Sequence, residues 1–319
     1  MFPTGYEILA IPAFILGVLF LYKGSDILVD GTVKTAAQLG VSALIISVLF
    51  IGFGTSSPEF AISVGAAGQG QSDISLGNII GSCIANLLLV LGISALIKPI
   101  DVKKGIIKRE MPIMIGATVV LVASSFFGLL DQYRYFGALF FLVLFVVFVW
   151  FFIYCAKKER VNNKKYKTGK TWKNILFIFL GIAGVVLGAW LLIESSVTIA
   201  EVFCIDKFII AISIVAIGTS LPELVVSAMA AYKGESDVAV GNVLGSNVFN
   251  ILLILGFAAL FIPLNTSGSM DSILVLLFVN LLMIPIIFTK NKISRLEGLA
   301  MLVIYFVFIW YTFLGFNFI

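Results

Sequence analysis

Runs of Ile, Val, Leu, Phe and Ala, each close to the ~20 residues a helix needs to cross the hydrocarbon core of a bilayer, follow one another along the whole 319-residue chain. Their spacing predicts ten membrane-spanning helices, at about 7–30, 41–65, 74–97, 110–130, 134–156, 174–200, 208–231, 238–262, 271–289 and 296–316. The runs are long and continuous rather than short and alternating, which excludes a transmembrane β-barrel. No stretch between them is long enough for a soluble domain. Span 1 lacks a basic leading region and runs on into Asp26 and Asp30, so it is expected to be retained rather than removed as a signal peptide.

Polar residues interrupt the runs in a pattern that occurs twice. Shifting the chain by 164 residues lays 52–92 on 216–256 without a gap, and roughly half of the positions are identical. The first copy carries GTSSPEFAISVGAA, GQGQSD and GNIIGSCIANLLLVLG, and the second GTSLPELVVSAMAA, KGESD and GNVLGSNVFNILLILG. Each copy is two helices joined by a short Gly-containing loop, the mark of an internal duplication. Five spans precede residues 157–173 and five follow, and an odd number per half makes the second half enter the membrane from the opposite side. The expected fold is an all-α integral membrane protein of ten transmembrane helices in two inverted-topology five-helix repeats, 1–156 and 174–319, joined by a basic linker, 157–173. Such repeats belong to alternating-access carriers, with a site near the bilayer midplane.

Composition agrees: 61% of residues are hydrophobic and 12% charged, against roughly half and one quarter in soluble domains. The basic residues set an orientation. Lys98, Lys103, Lys104, Lys108 and Arg109 follow span 3, eight more lie between Lys157 and Lys173, and Lys290, Lys292 and Arg295 follow span 9. All three loops fall on one side, expected to be the cytoplasm, which puts both termini outside and leaves only Arg134 and Lys207 of the 21 basic residues in outer loops. The 157–173 run is thus a topological mark rather than a nucleic-acid site. Cys83, Cys155 and Cys204 lie in or at the ends of spans and suggest no disulfide framework. With no histidine, His-type zinc sites, a Ser-His-Asp triad and His proton relays are excluded.

The candidate chemistry lies in the repeated motifs. Pro58 and Pro222 fall in mid-span, where proline removes an amide donor and displaces the carbonyl four residues back, here Gly54 and Gly218. Glu59 and Glu223 follow directly, with no Lys or Arg in either span, so each needs a partner, a proton or a bound cation. Thr55 and Thr219 lie one helical turn before the glutamates, and Ser56 and Ser220 one position round. In the partner spans Ser82 and Asn86 are four apart, as are Ser246 and Asn250. Carboxylate, hydroxyl, amide and backbone oxygens without nitrogen or sulfur suit calcium, and sodium accepts the same ligands. Gly77, Gly81, Gly241 and Gly245 read as close helix packing. Asn78 and Asn242 are either glue between helices or supports for the ligands. Asp73 and Asp237 are expected as helix N-caps, and Asp30 and Lys34 as an i,i+4 pair. Glu194 aligns with Asp30, and neither belongs to the central cluster.

GTSSPE and GTSLPE, with GNIIGSCIAN and GNVLGSNVFN, resemble the two α-repeats of the cation/calcium exchanger superfamily, specifically its sodium/calcium exchanger branch in compact prokaryotic form. The resemblance covers both halves. It implies a secondary antiporter in the cell membrane exchanging sodium for calcium by alternating access, with spans 2, 3, 7 and 8 as a core and spans 1 and 6 sliding across it. The ligand positions it implies are Thr55, Ser56, Glu59, Ser82, Asn86, Thr219, Ser220, Glu223, Ser246 and Asn250, with backbone carbonyls of Gly52, Thr55, Ala216 and Thr219. No cofactor or obligate protein partner is implied; calcium, sodium and the lipid bilayer are the partners. Three sodium ions per calcium would make exchange electrogenic. Asn250 is neutral where some members carry Asp, which speaks against potassium co-transport. Gly81-Ser82 and Gly245-Ser246 stand where the proton-coupled branch usually places an acid. Proton/calcium exchange, potassium-dependent exchange and a cation channel are the competing readings; an intramembrane enzyme lacks a nucleophile and base.

Overall fold

A computed structural model describes residues 9–158, 171–203, 218–288 and 291–316. Its main helices are α1 (Ala10–Leu39), α2 (Ala43–Thr55), α3 (Ser57–Gly68), α4 (Ser72–Ile97), α5 (Glu110–Phe126), α6 (Arg134–Lys158), α7 (Thr171–Val202), α8 (Leu221–Lys233), α9 (Ser236–Phe261), α10 (Met270–Phe288) and α11 (Arg295–Phe316). Among the described residues, helix occupies nine of the ten expected spans, α2 and α3 sharing one, and the second half of span 7. Among the described residues six helices are long and apolar enough to cross a membrane singly, and α2 with α3 makes a seventh, broken span.

α1 and α7, at 30 and 32 residues, outrun their expected spans. In α1 the polar turn after Asp30 stays helical: Lys34 Nζ lies 3.3 Å from Asp30 Oδ2, and the helix stops at Gly40, whose left-handed φ of 71° closes its C-terminus. The two helices pack along a seam of glycines. A Cβ at Gly24 would sit 2.8 Å from the Val185 nitrogen, and one at Gly188 2.7 Å from the Leu21 nitrogen. Only residues without a side chain allow backbones this close, so the glycines hold α1 and α7 together along the seam.

Loops sort onto two ends as alternating spans require. At one end Ile100–Asp101 pairs antiparallel with Lys292–Ile293, Lys103 bridges to Asp237, and Lys233 reaches Asp26 and Asp30. At the other the Asn265 amide donates to Ser72 Oγ, the Leu264 amide to the Leu130 carbonyl, and Arg134 to the Phe261 carbonyl. α4 and α9 are enclosed on most sides, whereas α1, α6 and α7 turn most of their apolar faces outward. The helix–loop–helix units of the two repeats match in detail: Gly70 and Gly234 both turn at φ 79°.

One expectation is corrected. Asp73 and Asp237 do not cap their helices; Gln71 and Glu235 hold the cap positions, and the aspartates sit within the first turn. A carboxylate there already gains from the helix dipole without capping.

Candidate functional site

Both repeats break at the same place. α2 ends at Thr55, Ser56 leaves helical geometry (φ −80°, ψ 9°), and α3 restarts at Ser57 with Pro58 in its first turn, bent by 47° from α2. Ser220 (φ −86°, ψ 6°) does the same before α8, with Pro222 in the first turn. Each proline thus sits where its missing N–H costs little, and each glutamate lies in the first turn of a half-helix whose N-terminal dipole favours a negative charge. The Gly54 carbonyl displaced by Pro58 accepts a bond from Ser57 Oγ at 2.8 Å. The counterpart of Ser57 is Leu221, which has no hydroxyl for Gly218.

Glycines bring the repeats into contact. A Cβ at Gly52 would meet the Ser246 nitrogen at 2.8 Å, and one at Gly245 the Val48 carbonyl at 2.5 Å, so α2 and α9 cross with backbones nearly touching. The packing reading therefore holds for Gly241 and Gly245. For Gly77 and Gly81 nothing among the described residues lies within 4 Å of an added Cβ, and 208–212, the counterpart of Leu44–Val48, lies outside them.

Across this crossing the oxygens converge. Ser246 Oγ lies 3.2 Å from the Gly52 carbonyl, 3.3 Å from Glu223 Oε1 and 3.4 Å from Thr55 Oγ1. Ser56 Oγ donates to Glu223 Oε1 at 2.9 Å, and Ser82 Oγ lies 3.5 Å from Glu59 Oε1. Thr55, Ser56, Glu59, Ser82, Asn86, Thr219, Ser220, Glu223, Ser246 and Asn250 are all buried, none more than 5% exposed. Ala216 lies outside the described residues. Asn86 opens the π-helical turn Asn86–Val90, and Asn250 is the second residue of the π-helical turn Phe249–Ile254, distortions that gather at functional sites.

Buried oxygens mark the centre: among the described residues Glu59 Oε2, Glu223 Oε2, Asn86 Oδ1 and Asn250 Oδ1 make no hydrogen bond. Asn78 and Asn242 are glue that braces the ligands. Asn78 Nδ2 donates to Ser63 Oγ at 2.9 Å and Asn242 Nδ2 to Ser227 Oγ at 3.0 Å, each also reaching the carbonyl of its repeat's glutamate. Ser63, Ser227 and Asn247 are the polar participants that reading the sequence missed. The serines were findable, since they match across the 164-residue shift. Asp26 and Asp30 lie apart from this cluster, with Lys233 at one end of the molecule. A cavity of about 620 Å³ approaches the cluster, lined by Ser57, Pro58, Trp190, Glu194, Gly218 and Thr219.

The profile of the sodium/calcium exchanger protein family matches residues 9–154 and again 173–314. The sodium/calcium exchanger MaX1 of Methanosarcina acetivorans is 32% identical, covering 92% of this chain and 96% of its own. The inner membrane protein YrbG of Escherichia coli is 32% identical, covering 80% and 81%. Among solved structures, the sodium-calcium exchanger NCX_Mj soaked with 2.5 mM Na⁺ and 0.1 mM Ca²⁺ superposes with a TM-score of 0.79 at 32% identity, over 94% of this chain and 97% of that one.

Proposed function

The chain belongs to the sodium/calcium exchanger family and is a membrane antiporter of Na⁺ and Ca²⁺; we propose that both ions occupy the oxygen cage between the repeats and use it in turn. The observation that carries this reading is the pair of buried carboxylate oxygens, Glu59 Oε2 and Glu223 Oε2, which have no hydrogen-bond donor among the described residues. Among the described residues neither carboxylate has a Lys or Arg partner. Two carboxylates at membrane depth need a proton or a cation to balance them, and one Ca²⁺ neutralises both. The ligands are Thr55, Ser56, Glu59, Ser82 and Asn86 in the first repeat, Thr219, Ser220, Glu223, Ser246 and Asn250 in the second, with the Gly52 and Ala216 carbonyls. When calcium leaves, several Na⁺ distribute over the same oxygens.

The two repeats are residues 1–156 and 174–319, joined by the linker 157–173. The basic loops face the cytoplasm and the protein resides in the cell membrane, a placement supported by the inner-membrane relative. The cavity beside Trp190 and Glu194 lies toward the end of α7 away from the linker, so this conformation opens to the outside. Sliding of the α1–α7 pair past α2–α4, α8 and α9 closes that path and opens its mirror image.

Calcium-45 uptake into proteoliposomes loaded in turn with sodium, potassium or protons tests the coupling: only sodium should drive uptake, and equal uptake from proton-loaded vesicles would overturn it. With three sodium ions per calcium, one net charge crosses per cycle, on the order of 2.3 kcal/mol per 100 mV. A valinomycin-imposed inside-positive potential should therefore speed uptake into sodium-loaded vesicles, and a rate indifferent to potential would rule out electrogenic exchange.

A further inference from the structure

The two amides of the cage, Asn86 and Asn250, occupy equivalent places 164 residues apart, yet only one is held. Asn86 Nδ2 donates to Asn247 Oδ1 at 3.0 Å, while Asn247 Nδ2 donates to the Cys83 carbonyl at 3.2 Å. Among the described residues neither amide atom of Asn250 makes a hydrogen bond of ordinary geometry, and its side-chain neighbour at the axis is the Cys83 thiol. The difference traces to a single pair of positions. Cys83 and Asn247 are themselves 164 apart and touch, Cys83 Sγ lying 3.9 Å from the Asn247 carbonyl, so they straddle the axis that relates the repeats. Asn247 offers an amide to Asn86; Cys83 offers Asn250 only a thiol, a weak donor and acceptor.

The polarity of this chain of bonds does not depend on how the amides are assigned. The Cys83 carbonyl only accepts, so Nδ2 of Asn247 must face it. Oδ1 of Asn247 then faces Asn86, and only the Nδ2 end of Asn86 can meet it. Asn86 is left with its Oδ1 free, buried and unpartnered, on the same helical face as Ser82, which touches Glu59.

Resting on the cage reading above, we propose that Asn247 is a positioning residue: by anchoring the Asn86 amide to the Cys83 carbonyl it presents an oxygen, never an N–H, to the cation, while Asn250 stays free to turn. The first-repeat amide is therefore a permanent cation ligand and the second a conditional one. Asn247 does not touch the ion itself.

The test is a cycle of substitutions in the full-length protein in proteoliposomes, read as the calcium concentration for half-maximal sodium-driven uptake. Asn247→Cys should weaken it about fivefold, the size of one lost hydrogen bond. In an Asn86→Asp background the same substitution should change it less than about twofold, or improve it, because a carboxylate presents oxygen in either rotamer and no longer bonds Asn247 Oδ1 favourably. If Asn247→Cys does not give monodisperse protein, Asn247→Ser takes its place in the same comparison. An equal loss in both backgrounds would show that Asn247 acts through packing alone and would overturn the proposal. Glu223→Gln serves as the separate control: sodium-driven uptake surviving that change defeats the cage reading itself, whereas its loss together with an equal Asn247 effect defeats only the positioning role.

Discussion

Two helix pairs related by the repeat are arranged differently: α1 packs directly against α8, whereas α7 and α3 stand apart across a cavity. Where α1 meets α8, Lys233 Nζ lies 2.6 Å from Asp26 Oδ1 and 2.7 Å from Asp30 Oδ1, and it also donates to the Asp26 carbonyl at 3.0 Å. Where α7 faces α3, the counterparts of Asp26, Asp30 and Lys233 are Trp190, Glu194 and Gln69, and the space beside Trp190 and Glu194 is a cavity of about 620 Å³. A molecule with two identical halves would rest equally in either of its mirror-image states. The ion pairs of Lys233 bias this one toward keeping its α1–α8 end shut. The bias is modest, because Lys233 is 21% exposed and its partners 39% and 47%, and such pairs contribute about 1 kcal/mol or less each. A small bias suits a carrier, which must leave each state in every cycle.

The comparison is broken most severely by removing what both halves share. Glu59→Gln and Glu223→Gln are each expected to reduce sodium-driven calcium-45 uptake by at least about 100-fold, as expected when one partner of a buried charge interaction is removed, while size-exclusion behaviour stays native. Unequal losses would show that the halves share the charge unevenly. Asn250→Asp sharpens the difference between the two amides. A third carboxylate demands another positive charge in the filled cage, so uptake should become dependent on potassium or pH by about tenfold, the effect of a one-unit electrostatic shift. Identical potassium and pH responses to the native protein would place residue 250 outside the cage.

At the rims the effects are smaller. Lys233→Met should loosen the α1–α8 end, raising hydrogen exchange at the amides of 26–34 about fivefold; unchanged exchange would show that the ion pairs hold nothing shut. Gln69→Lys supplies the open end with a cation able to meet Glu194 when that side closes, and should slow exchange by about twofold. Acceleration would contradict a mirror-image closure.

How much of this was legible beforehand differs between fold and cage. The spans, the duplication and the sorting of basic loops follow from local rules: a helix must be apolar for about twenty residues to lie in lipid, and a repeat is visible wherever its residues are retained. The broken helices were legible from Pro58 and Pro222, and the oxygens of the cage from their recurrence. Asn247 was not, because its counterpart is Cys83 and a search for matching polar residues passes over a position where the copies disagree. Nor were Gly17 and Gly24 of α1, whose purpose appears only opposite Gly181, Gly184 and Gly188 of α7.

The sequence by itself determined that this is a duplicated, many-spanning membrane protein with two glutamates and their oxygen neighbours at mid-span, since hydropathy and recurrence are properties of the chain read in order. Only the tertiary structure decided which oxygens meet across the repeats, that Ser56 serves Glu223 in the other repeat, that the axis passes between Cys83 and Asn247, and that Lys233 joins Asp26 and Asp30. The contacts across the repeats join residues more than 150 positions apart, and they arise from backbones crossing at glycines, a geometry that no local pattern encodes.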